Sequence, residues 1–115
     1  MEIGVDIVEI ERIRGLYERY GEGFLRRILT DDEAAQCLAK PDPVASLAGR
    51  FAAKEAVSKA LGTGISHGLS WHSIEVFNDE AGQPGATVRL AGREFTAKLS
   101  ISHDRHSAVA MAVVE

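Results

Sequence analysis

The stretch from Phe51 to Gly64, FAAKEAVSKALGTG, constrains this chain more than any other. Its small and apolar residues read as a helix, Gly62 ends it, and a Gly-Thr-Gly turn follows. Small side chains let another backbone or a ligand come close. Projected at about 100° per residue, Val44, Ala45, Ala48, Phe51, Ala52 and Ala56 share one broad arc. Glu55 falls near Val44, and Lys59 falls between Ala48 and Ala52, so both are set into the apolar side. Arg50 and Lys54 point elsewhere, where solvent is expected. Two readings stand for Glu55 and Lys59. They form an i, i+4 pair worth about 0.2–0.5 kcal/mol on an exposed face, or they serve a ligand. A buried carboxylate needs a cation, a metal or several donors to stay ionised.

At 115 residues the chain is expected to form one domain, residues 1–115, with a small core that oligomerisation would support. No apolar run approaches the roughly 20 residues of a membrane span. The opening MEIGVDIVEIER is too acidic, and its apolar stretch too short, for a signal peptide. The single Cys37 excludes an internal disulfide and a CxxC metal site, in keeping with a reducing cytoplasm. A formal net charge of −4 argues against a general nucleic-acid binder.

Residues 2–8 alternate as a strand, with Ile3, Val5 and Ile7 on one face and Gly4, Asp6 and Val8 on the other. Residues 10–20 read as a helix presenting Ile10, Ile13, Tyr17 and Tyr20, and Gly21 and Gly23 interrupt it. Thr30-Asp31-Asp32-Glu33 has capping-box spacing and opens a second helix that ends before Pro41. Pro43 suits the first turn of the third, long helix. Residues 73–77, 86–90, 98–102 and 108–114 read as strands in two antiparallel pairs. Helices come mainly in the first half and strands in the second. The fold class is therefore α+β, an antiparallel sheet packed against a long helix.

Asp6 has two readings. Asp6-Ile7-Val8-Glu9 has the spacing of a helix cap; alternatively Asp6 and Glu55 are hard oxygen ligands for Mg²⁺, which takes one or two carboxylates with waters and phosphate oxygens. Lys59 is a compact charge suited to a pyrophosphate. Gly62, Thr63 and Gly64 are either a plain helix stop or a nest of N–H donors for phosphate. His103 ends a strand, as a surface residue or as a phosphate donor or proton carrier. His103 and His106 lack further ligands for zinc. No GxSxG elbow or P-loop occurs. Arg12 and Arg19 share a helix face and Arg26 extends the basic character. They form either a mixed charged surface or a dock for an acidic partner.

Together, GVDIVEI at Gly4–Ile10, FLRRILT at Phe24–Thr30 with Glu33, AGRFAAKEA at Ala48–Ala56 with Lys59 and Gly62–Gly64, and SISH at Ser100–His103 resemble the short bacterial holo-acyl-carrier-protein synthases, a class of 4′-phosphopantetheinyl transferase. The likeness runs from about Ile3 to Val114. Residues 91–97 depart from it, being short where relatives have a fuller helix, and Gln83-Pro84-Gly85 makes the preceding turn glycine-rich. The resemblance implies the phosphopantetheinyl transferase fold and transfer of phosphopantetheine from coenzyme A to a serine of an apo acyl carrier protein. Adenosine 3′,5′-bisphosphate is released, in support of fatty acid biosynthesis. It implies Asp6 and Glu55 as Mg²⁺ ligands, Glu55 and Lys59 as catalytic, and Lys59, Gly62, Thr63, Gly64 and His103 as coenzyme A contacts. It also implies a cytoplasmic homotrimer with sites in clefts between subunits. The acidic carrier protein would dock on Arg12, Arg19 and Arg26. The rival is a non-catalytic carrier-protein or nucleotide-binding module of the same fold.

Overall fold

The structure, a computed structural model, describes residues 1–115. In chain order the elements are β1 (Glu2–Glu9), α1 (Ile10–Tyr20), α2 (Glu22–Ile28), α3 (Asp31–Leu38), α4 (Pro43–Ala60), a 3₁₀ turn (Trp71–Ser73), β2 (Ile74–Asn78), β3 (Pro84–Leu90), β4 (Arg93–His103) and β5 (Ser107–Val114). The strands form one sheet in the order β1-β5-β4-β3-β2, antiparallel throughout. The first and last strands are thus neighbours, in register from Glu2 opposite Val114 to Glu9 opposite Ser107. The expected α+β architecture, a sheet against one long helix, is what forms.

The long helix α4 starts where Asp42 accepts a hydrogen bond from Ala45 N (3.3 Å) and Pro43 occupies the first turn. It is covered on almost every side. A helix apolar all round belongs in an interior, and this one lies between the sheet and α1–α3. That covering overturns the solvent expectation for two residues: Arg50 and Lys54 are both buried, at 4% and 0% exposure. On the sheet side, β1 crosses α4 at a distance only glycine permits. A Cβ on Gly4 would overlap Ala56 O and lie 2.6 Å from Ala60 N.

The two faces of β1 separate as expected, but the apolar one points outward. Ile3, Val5 and Ile7 are exposed while Gly4 and Val8 are buried. Asp6 lies within the strand, so it does not cap α1. The cap position belongs to Glu9, which makes no side-chain capping bond. Of the residues expected to share one face of α1, Ile10 and Ile13 are buried while Tyr20 is exposed. A further helix, α2, starts directly after Gly21, takes in Gly23 and buries Phe24, Leu25 and Ile28.

Residues 91–97 hold no helix. Ala91 (φ 54°) and Gly92 (φ 76°) make a two-residue hairpin turn between Leu90 and Arg93, and β4 begins at once. Turns with positive φ at both central residues favour Asn-Gly, and a left-handed Ala is strained by roughly 1 kcal/mol. Ala91→Asn is therefore expected to raise stability by about 0.5–1 kcal/mol. A urea melt reads this as a higher midpoint at unchanged slope.

Candidate active site

The inward face of β1 and the C-terminal half of α4 bring three predicted residues together. Lys59 Nζ donates to Asp6 Oδ1 at 2.9 Å and to Val5 O at 3.2 Å. The i, i+4 pairing of Lys59 with Glu55 does not form, because β1 presents Asp6 directly over Lys59. Asp6 is mostly buried, with 16% of its side chain exposed, against 53% for Lys59. Glu55 is partly buried. Its carboxyl is pushed up from the ordinary range by burial and then by the negative charge of Asp6; Lys59 and Arg12 pull it partly back. A carboxyl raised by burial and by a second carboxylate beside it marks a place where an added cation is welcome.

Arg12 completes this corner. Its guanidinium lies 5.6 Å from the centroid of the Phe51 ring, and its charge reaches Glu55. Phe51 in turn packs on Trp71, with ring centroids 5.0 Å apart. Arg19 and Arg26 do not join it. Arg19 lies over its neighbour Tyr20 (5.3 Å), and Arg26 makes a long surface contact of 3.4 Å with Glu22.

The turn after α4 is directed back into its own helix. Gly62 N donates to Lys59 O, and Thr63 N and Gly64 N both donate to Ser58 O. These N–H groups stop the helix, while the outer side of Gly62 and Gly64 is open space. His103 lies apart, with Lys40 and Arg50, on an open cavity of about 540 Å³. The cavity is bordered by Gly49 and Ser46 from the N-terminal half of α4, whereas Lys59 lies in its last turn.

Sequence reasoning missed a buried polar cluster behind this corner. Lys54 Nζ donates to Glu33 Oε1 (2.7 Å), Ile28 O (2.7 Å) and Trp71 O (3.0 Å). Burial pushes the Lys54 ammonium down and Glu33 draws it back up. Arg50 donates to Val76 O and Gln36 Oε1, leaving its buried Nε without a partner. The one sequence sign was Glu33, a capping-box acid next to an apolar run; nothing in the spacing named its cation.

The sequence matches the family described as the 4′-phosphopantetheinyl transferase superfamily over residues 2–114. The chain belongs to that superfamily. Within it, the chain falls among the enzymes called holo-[acyl-carrier-protein] synthase. It is 69% identical over 115 residues to the one from Chlorobaculum tepidum, covering 100% of this chain and 98% of that protein. The fold is similar to the holo-[acyl-carrier-protein] synthase of Neisseria meningitidis, with a TM-score of 0.88 and 37% identity, covering 99% and 97% of the two chains. It is also similar to the Helicobacter pylori enzyme solved in complex with coenzyme A: TM-score 0.85, 37% identity, 98% and 99% covered.

Proposed function

We propose that this chain moves the 4′-phosphopantetheine arm of coenzyme A onto a serine hydroxyl of an apo acyl carrier protein and releases adenosine 3′,5′-bisphosphate. The observation that carries the reading is the meeting of Asp6, Glu55 and Lys59. Asp6 and Glu55 are hard oxygen donors, and no group of three or more His, Cys, Asp or Glu in the chain is arranged to hold a metal ion. Such a pair fits Mg²⁺, which completes its shell with waters and phosphate oxygens. When bound there, Mg²⁺ would polarise the phosphoryl group and stabilise charge on the leaving phosphate.

The remaining work falls to side chains. Lys59, more than half exposed, can turn from Asp6 to offset the pyrophosphate charge. The serine oxygen attacks the phosphorus nearer pantetheine. The bond from that phosphorus to the bridging oxygen breaks, and the bisphosphate leaves with the electron pair. We assign removal of the serine proton to Glu55, the carboxylate at this corner that makes no ion pair with Lys59. Outward contacts of Gly62, Thr63 and Gly64 would then be close approach, since their N–H groups are engaged.

His103 and its cavity lie away from this corner within one chain, which favours a site shared between copies. The outward Ile3, Val5 and Ile7 of β1, with Met111 of β5, form an exposed apolar strip suited to self-association. We assign it to a homotrimer in which the His103 cavity of one copy faces Asp6 and Glu55 of the next. No helix is long and apolar enough to cross a membrane, in keeping with the proposed place in cytoplasmic fatty acid biosynthesis.

The test incubates the protein with an apo carrier protein, coenzyme A and Mg²⁺ and weighs the carrier. A gain of one phosphopantetheine, absent with EDTA, is expected. No gain on several carriers, with coenzyme A shown to bind, would favour the non-catalytic module. Arg12 is the carrier-docking candidate nearest the site, with Arg19 and Arg26 farther along α1 and α2. Arg12→Glu is expected to raise KM for the acidic carrier by about tenfold or more at low salt, and to leave coenzyme A affinity nearly unchanged. Steady-state kinetics at two salt concentrations check this. A carrier KM unmoved at low salt removes Arg12 from docking.

A further inference from the structure

Glu55 must meet Asp6 to within fractions of an ångström if the two are to share one cation. The side of α4 that faces the sheet is poorly equipped to set that register. It packs β1 through Gly4, Ala56 and Ala60, and small residues allow close approach without the interlocking that fixes a helix along its axis. The one polar tie on this side, Lys59 to Asp6 and Val5 O, runs through a long side chain that is half exposed, so a rigid anchor has to come from elsewhere.

The opposite side of α4 carries a fixed device. Lys54, next to Glu55, is fully buried, and all three protons of its ammonium have acceptors. Those acceptors come from three separate segments: the end of α2, the first turn of α3, and the 3₁₀ turn before β2. Glu33 is as fully committed. Its Oε1 also accepts from Thr30 N (2.8 Å), and its Oε2 accepts from Val76 N in β2 (2.8 Å). One ion pair thus ties α2, α3, α4 and β2 at fixed bond lengths.

We propose that Lys54 and Glu33 are positioning residues for the metal corner: they set the axial and rotational register of α4, and so hold Glu55 opposite Asp6. A buried ion pair is weak evidence for stability, because well-packed apolar residues often replace one without loss. Registry is its best-attested use. The inference rests on the reading of Asp6 and Glu55 as cation ligands.

Mn²⁺ alone, followed by electron paramagnetic resonance, is the probe. Carboxylate ligands accept Mn²⁺ as well as Mg²⁺. Wild-type protein is expected to bind one Mn²⁺ that Asp6→Asn abolishes. If it does not, the metal reading itself has failed, and the positioning role falls with it. The paired variant Glu33→Met with Lys54→Met removes both charges together. Glu33→Asp keeps both charges but withdraws the carboxylate by one methylene, and serves if the paired variant does not fold. Each folded variant is expected to bind Mn²⁺ about tenfold more weakly, the usual scale for groups that orient a ligand. Val88→Ala, a buried change in β3, supplies the control: it lowers the melting temperature and leaves Mn²⁺ affinity unchanged. Wild-type Mn²⁺ affinity in either folded variant overturns the proposal, as does equal weakening in the Val88→Ala control.

Discussion

Gly4→Ala is expected to lower stability by about 3 kcal/mol, at the upper end for overpacking, and to separate Asp6 from Lys59 in whatever folds. The added Cβ would overlap Ala56 O and crowd Ala60 N at 2.6 Å. Both are backbone atoms of a helix, so no rotamer change relieves them. Either β1 lifts off α4, or α4 shifts within its covering of α1–α3 and the sheet. Lifting β1 strains its register with β5 and moves Asp6 away from the 2.9 Å contact with Lys59. A melting temperature falls by roughly 4–8 °C per kcal/mol in domains of about 60–100 residues and by about 2–4 °C in larger ones, so a fall of about 10 °C or more is expected here. Calorimetry measures the stability, and Mn²⁺ titration of the folded fraction measures the site. A melting temperature within a degree or two of wild type would show that the close crossing does not constrain β1.

Much of this arrangement was legible because local signals carry it. Pro43 and Gly62 bracket α4, and Thr30 with Glu33 marks the start of α3 through a capping box that forms with both bonds. Alternation in β1 separated its two faces. What alternation cannot say is which face turns inward. Ile3, Val5 and Ile7 face out because α4 can lie close only over Gly4. The helix α2 was hidden by Gly21 and Gly23, since its three buried residues acquire meaning only from the core they enter. Arg50 and Lys54 were misread for a related reason. A helical projection assumes one buried side, and α4 is covered on nearly all of them. At the proposed site, Asp6, Glu55 and Lys59 were each singled out from the sequence, but the contact between Lys59 and Asp6 was not. Spacing offers Glu55 to Lys59, whereas the approach of β1, a contact 53 residues distant in sequence, gives Lys59 to Asp6.

Glu55→Gln is expected to cut transfer by about 10²–10³-fold, the scale seen when one group that stabilises transition-state charge is removed, while the fold becomes slightly more stable at neutral pH. The two effects have one cause. In the folded chain the Glu55 carboxyl is raised, first by burial and then by Asp6. Raised in the folded state relative to the unfolded, it binds its proton more tightly when folded. Stability therefore falls as pH rises from the unfolded value through the folded one, and the ionised group remains a burden above that window. Gln carries no charge and escapes the burden. The gain over wild type should thus be present at pH 7 and vanish in acid below the unfolded carboxyl range. Thermal melts at several pH values read this part; mass analysis of an apo carrier with coenzyme A and excess Mg²⁺ reads the other. A group that weakens the fold and supports the chemistry is the pattern of a site selected for function over stability. A Glu55→Gln protein that transfers at the wild-type rate would exclude Glu55 from the reaction, and one that melts lower at pH 7 would show that its charge is held by partners other than Arg12 and Lys59.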